Sequence, residues 1–386
     1  MDAQSAYTLQ SDPYRAGVEL GEALAAITPE VIFLFSTVHY DNPAELLEGL
    51  YDTLANDQLV VIGNSGDGYY ESHTNSDIGA AALGINSGGT ITWAVASAEG
   101  VNHDPEGTTR RALANLHQAM GNKSPNLMFL ASHFSADASR IEAVIQQEVK
   151  VPMIGGFAAD DNRMQSCFLF VNRRVIEDGV VLLGAGGPLA FAIRVGNSLA
   201  PVGRPGRVED AEGTNIRCVD GVSAMDFIER ETGKPVLQTD RGIVSLTIID
   251  PDQPNVRRLR SIVPDFSTDA GHLGLYGGIE TGKTIQVCLA RPDDLINEVH
   301  AIAEAATQLD FQPKAAVIVS CGGRKQLLGD KIHHETAALN AAFADQLPLV
   351  GFPSFGEIGP LQSADGYSRN LFHNMTYVLL LLGDHK

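Results

Sequence analysis

"NLMFLASHFSADASRIEAVIQQEVKVPMIGGFAADD", residues 126–161, sets two short apolar runs on either side of one capped helical segment. The first run, from Leu127, is unbroken and ends in Ser132, and the second ends where Gly155 and Gly156 begin. Unbroken apolar runs of this length read as strands buried on both faces. A helix between two such strands is the crossover that parallel pairing requires, and its hand is right-handed by rule. The stretch is therefore a βαβ unit.

The pattern recurs upstream as "VIFLFS", a helix capped by Asp41, Asn42 and Pro43, and "LVVIGNSGDGYY". It recurs downstream in "AAVIVSCGGRKQLLGDKIHHETAALNAAFADQLPLVGFPSFGEIGP". Alignment puts Ser36, Ser132 and Ser320 at the ends of first strands and Gly63, Gly155 and Gly351 just after second strands. Between the units, "DIGAAALGINSGGTITWAVAS" and "SCFLFVNRRVIEDGVVLLGAG" alternate into and out of turns and read as hairpins. Ser11, Asp12 and Pro13 cap a first helix. Past Gly221 come another helix and the strands "GIVSLTIID", "RRLRSIV" and "TIQVCLA", of which the basic one suits an exposed edge. The expected fold is α/β, with two domains of repeated βαβ units, added antiparallel hairpins and mixed sheets. A helix over residues 1–30 leads into a domain over 31–220, followed by a second over 221–386.

The totals exclude several functions. With 47 acidic against 27 basic residues and a net charge of −20, the chain opposes the phosphate contacts on which nucleic-acid and anionic-membrane binding rest. Neither partner is expected. Four widely spaced cysteines form no CxxC pair, which fits a reducing, cytoplasmic setting. The N-terminus has no basic and apolar leader, and the apolar runs are too short or too broken to cross a membrane.

Ligands of parallel sheets bind beyond the carboxyl ends of the strands. Gly63, Ser65, Gly155, Gly156 and Gly351 are therefore candidate pocket walls, since glycine allows close approach and exposes N–H groups. The alternative is that each glycine only turns the chain. "GAGGPLAFA" lacks the spacing of a dinucleotide fingerprint, and "CGGRKQLLG" lacks the ending of a phosphate-binding P-loop.

"LVGFPSFGEIGP" with "LFHNMTYVLLL" resembles the closing signature of the FIST C-terminal domain. "VIGNSGDG", "IGGFAADD" and "NSLAPVGRPGRV" resemble the FIST N-terminal domain. That resemblance implies a prokaryotic sensory module that binds small ligands such as amino acids. It also implies, for stand-alone members, non-covalent haem b, nitric-oxide sensing and action on a histidine kinase or a cyclic-di-GMP enzyme. No output domain is recognised in this chain, so a separate partner is expected.

Within that reading, Glu357 is a candidate anion for a ligand ammonium group, and Arg324 a candidate partner for a ligand carboxylate. Two structural roles stay open for Glu357: pairing with Arg324 or accepting backbone N–H groups. His39, His133 and His373 are the candidate haem ligands, each equally readable as a hydrogen-bonded or surface histidine. The opposing reading is an enzyme with Cys321 as nucleophile and His333 or His334 as its base.

Overall fold

The repeat in the sequence is the plan of the molecule. A computed structural model describes residues 1–121, 123–196, 199–237, 243–249, 257–263, 271–363 and 366–384. Unit 1 runs β1 (Asp2–Thr8), α1 (Pro13–Leu24), β2 (Val31–Ser36), α2 (Pro43–Leu54), β3 (Val60–Ser65), the hairpin β4 (Tyr69–Glu71) and β5 (Thr74–Ser76), and β6 (Ala80–Asn86). Unit 2 repeats it with β7 (Thr92–Glu99), α3 (Pro105–Met120), β8 (Leu127–Ser132), α4 (Ala138–Glu148), β9 (Met153–Phe157), the hairpin β10 (Leu169–Val171) and β11 (Arg174–Ile176), and β12 (Gly179–Gly186).

Unit 3 opens with β13 (Ala190–Gly196) and is then interrupted. The insertion comprises β14 (Ala200–Glu212), β15 (Asn215–Val219), β16 (Val222–Ser223), α5 (Ala224–Thr232), β17 (Ser245–Ile249), β18 (Arg258–Ser261), β19 (Leu273–Gly274) and β20 (Thr284–Leu289). Unit 3 resumes with α6 (Pro292–Ala306), β21 (Gln312–Cys321), α7 (Gly322–Leu328), α8 (His334–Ala342) and β22 (Leu349–Ser354). It ends with the hairpin β23 (Glu357–Ser363) and β24 (Gly366–His373), and with β25 (Tyr377–Asp384).

The three units build three six-stranded sheets of one design: β1-β6-β2-β3-β10-β11, β7-β12-β8-β9-β23-β24 and β13-β25-β21-β22-β4-β5. In each, an opening strand pairs with a returning strand, then come the parallel pair and a hairpin. The hairpins are exchanged in a cycle. Unit 1 gives its hairpin to the sheet of unit 3, unit 2 to that of unit 1, and unit 3 to that of unit 2.

Burial follows from strand alternation, which sends alternate side chains to opposite faces. Val31, Phe33 and Phe35 of β2, Leu127, Phe129 and Ala131 of β8, and Ala315, Val317 and Val319 of β21 meet in one central core. The intervening residues, such as Leu34, Leu130 and Ile318, face three outer helix layers built by α1 with α2, α3 with α4, and α6 with α8. Helix starts follow the capping rule: Asp12, Asp104 and Asp137 accept from the backbone N–H of Arg15, Gly107 and Ser139. The insertion packs its own sheet around α5 as a separate apolar cluster.

Several sequence expectations change. A strand, β1, precedes the first helix. The stretch 77–97 is no hairpin, because β6 returns to β2 while β7 opens the sheet of unit 2. Residues 166–186 do contain the hairpin β10–β11, but β12 leaves it for unit 2. Gly63, Gly155 and Gly351 lie inside β3, β9 and β22, not after them. The basic strand β18 does stand at a sheet edge. Of the strand expected at 242–250, Gly242 and Asp250 lie outside the described residues. Strands from both sides of residue 220 share three of the four sheets, so the two regions are interleaved.

Candidate functional site

A cavity of about 260 Å³ opens beyond the carboxyl ends of β21 and β22. Unit 3 lines it with Cys321, Gly322, Gly323, Lys325, Ser354 and Asn374, unit 1 with Asp67, unit 2 with Asn162, and the insertion with Ser261 and Tyr276. All parts of the chain thus converge at the place where sheets with parallel strands bind ligands.

Its charges come from one ammonium group and its partners. Lys325 Nζ donates to Asp67 Oδ1 at 3.1 Å and to the Asp67 carbonyl at 2.7 Å, and it lies 2.8 Å from Asp77 Oδ1. Burial works against the Lys325 charge, but Asp67 and Asp77 outweigh it and its pKa is raised. Burial also raises the pKa of Asp67, against the pull of Lys325. Asn374 Oδ1 accepts from the backbone N–H of Ser261, which ties the insertion to the cavity wall at 3.0 Å.

Glu357 stands behind this wall, fully buried. Ser354 Oγ donates to its Oε1 at 2.6 Å, and the Thr376 N–H and Oγ1 donate to its Oε2 at 3.2 and 2.8 Å. It clasps β22, β23 and the start of β25 together. Burial pushes its pKa up to about 8 despite those three donors. Arg324 is equally buried but points elsewhere, pairing with Glu335 at 2.8 Å and Glu298 at 3.3 Å. It does not line the cavity.

Cys321 does line it. Burial and the nearby Glu357 push its thiol up, against backbone groups of Met375 and Gly323 and the charge of Arg324, with no imidazole among them. His333 is exposed, stacks on His334 and turns its Nδ1 to the Asp330 carbonyl. A thiol held protonated without a base is not an activated nucleophile.

The glycines serve packing. A Cβ on Gly63 would lie 1.6 Å from the Leu34 carbonyl oxygen, one on Gly155 1.9 Å from that of Leu130, and one on Gly351 2.2 Å from that of Ile318. Each lets the second parallel strand lie against the first. A Cβ on Gly156 would meet Val319 at 2.7 Å. Ser65 ties units 1 and 2, donating to the Ala159 carbonyl and accepting from the Phe168 N–H.

The three histidines do not fit a haem. His373 is sealed, its Nε2 against the Gly359 carbonyl at 3.0 Å and its Nδ1 buried with no partner, and burial lowers its pKa to about 4. His133 has its Nδ1 2.8 Å from Ser135 Oγ and its ring stacked on Phe134, and His39 is exposed. None lines the cavity. Among the described residues no group of three or more His, Cys, Asp or Glu is placed to hold a metal ion.

Sequence reasoning missed Lys325, Asp67 and Asn374, though each lies in a motif it singled out. The signal was present in "GNSGDG", "CGGRK" and "FHNMT", where the cavity takes a residue one or two places from the one chosen. Ser261 and Tyr276 carry no local signal, because the insertion delivers them.

Comparison with known proteins gives a distant sequence relative and a distant fold. An uncharacterised protein of Methanocaldococcus jannaschii is 24% identical over 224 residues, covering 55% of this chain and 43% of that protein. The chain thus matches less than half the length of that relative. Solved structures of T. maritima PurL complexed with ATP and with ADP align over all of this chain and 71% of theirs. Their identities are 11% and 10%, each with a TM-score of 0.21, too low for any inference. No helix among the described residues is long and apolar enough to cross a membrane. The FIST N domain matches residues 10–222 and the FIST C domain residues 224–360. The chain therefore belongs to the FIST family, whose domains are associated with small-ligand sensing in signal transduction.

Proposed function

We propose that the cavity at the ends of β21 and β22 is the sensory pocket, that it takes a small zwitterion of amino-acid type, and that a separate signalling partner reads its occupancy. The observation that carries this reading is the pairing of opposite charges on one enclosed wall, Lys325 with Asp67. A ligand carboxylate displaces Asp67 from Lys325, and the ligand ammonium group takes up the freed Asp67 carboxylate. At about 260 Å³ the cavity is at the small end of ligand sites, which suits a metabolite better than a nucleotide. The insertion supplies part of the wall through Ser261 and Tyr276, so occupancy has a direct route to its sheet. A histidine kinase or a cyclic-di-GMP enzyme is the kind of partner this sensing would serve.

A thermal-shift screen of the twenty amino acids tests it. One class should raise the melting temperature saturably, and Lys325→Met and Asp67→Asn should each abolish the rise. No stabilisation by any amino acid removes the reading. A haemin titration run beside it separates the haem-linked alternative: a saturable Soret band that shifts with nitric oxide would replace the amino-acid ligand with haem.

A further inference from the structure

A second cavity of about 310 Å³ stands beyond the carboxyl ends of β8 and β9, the same place in unit 2 that the first pocket takes in unit 3. Its wall is richer in aromatic side chains. Phe134, Phe157, Phe355, Phe372, Tyr276 and Met164 stand in its wall. Phe157 and Phe372 sit fully buried at its back, edge to face at 5.4 Å. Phe134 and Phe355 meet edge to face at 5.7 Å, and together with Tyr276 they are only partly covered by the surrounding core.

The polar groups at its margin are occupied. Asp137 Oδ1 caps α4 by accepting from Ser139 N at 3.0 Å, and Ser135 Oγ bonds Asn102 and His133, both at 2.8 Å. The Thr214 carbonyl accepts from the Leu275 N–H at 2.9 Å. An aromatic ring entering there gains edge-to-face contacts with the aromatic side chains of the wall.

We propose that this second cavity is a binding site for an aromatic group of one or two fused rings, separate from the first pocket and sharing Tyr276 and Phe355 with it. Two ligands that share two wall residues bias each other's affinity, and the effect is reciprocal.

Indole is the probe. The full chain carrying ¹³C-methyl methionine has seven methionine signals, and Met164→Leu identifies that of Met164. Titration with indole should shift the Met164 methyl saturably and give intermolecular contacts from indole to that methyl. Thr214→Trp, which fills the cavity from its half-buried rim, should weaken indole at least tenfold, while Thr214→Ser should leave it unchanged. Absence of a saturable Met164 shift overturns the proposal, as does unchanged affinity in a Thr214→Trp protein with wild-type circular dichroism. Should Thr214→Trp fail to fold, the contacts in the wild-type chain decide, and their absence overturns it.

Discussion

Glu357 keeps its proton at a pH where an exposed carboxyl has lost it. Its pKa stands at about 8 when folded against 4.5 for the free group, so the folded state holds the extra proton between those values. Stability from this residue is full below pH 4.5 and is lost as pH rises to about 8. His373 acts in the opposite sense at lower pH. Its pKa falls from 6.5 to about 4, so stability is gained as pH rises through that window. The two separate above pH 6.5. Glu357→Gln, whose amide imitates the protonated acid between Ser354 and Thr376, should remove a decline of about 2 kcal/mol between pH 6.5 and 8, read from urea melts. An equal slope in wild type and variant would show that another group titrates. The same residue shows where legibility ends. "GFPSFGEIGP" marks an acid that matters, but whether it faces a ligand or a serine depends on which side of β23 is covered. Alternation makes that a one-residue question that local sequence does not answer. Arg324 and Lys325 differ in the same way: one is locked to Glu335 and its neighbour reaches the cavity.

At the scale of elements, the parallel pairs were legible because each needs only unbroken apolar runs, a capped helix and a glycine. The glycines turned out to mark strand contact. Gly63→Ala and Gly351→Ala should each cost more than about 3 kcal/mol, since the Cβ meets backbone rather than a movable side chain. Melting temperatures measure this, and a loss under 1 kcal/mol would mean that the strands can part. The hairpins were less legible, because their partners are set by packing between units. "YYE" and "TNS" of β4 and β5 pair with each other by local rule, yet nothing within them names β22 as the strand they join. The insertion is joined in the same non-local way. Arg260 crosses from β18 to Glu142 on α4 at 2.9 Å and to the Phe372 carbonyl at 2.7 Å. The reading of "RRLRSIV" as an edge strand holds, but not as an exposed one: Leu259, Arg260 and Ser261 are buried.

For the molecule as a whole, the interleaved sheets outweigh the division at residue 223 between the two matched regions. Residues 1–222 alone would keep β13 without β25, β9 without β23, β4 without β22, and β14 without β20. All four strands would then present unpaired edges. Calorimetry of the full chain should show one cooperative transition for the three shared sheets, with calorimetric and van't Hoff enthalpies equal, and the fragment 1–222 should give no such transition. Two well-separated transitions in the full chain, or a cooperatively melting fragment, would show that the regions fold apart.

The exchange of hairpins around the three sheets closes inside one chain only because the third hairpin finds the sheet of unit 2. During refolding, when the protein concentration approaches the local concentration of that sheet within the chain, the hairpin meets the same sheet on neighbouring molecules, and a hand-over that closes in a ring can instead run on from molecule to molecule. Dilution, by favouring the ring over the open polymer, is thus a determinant of whether this sequence reaches its native state at all.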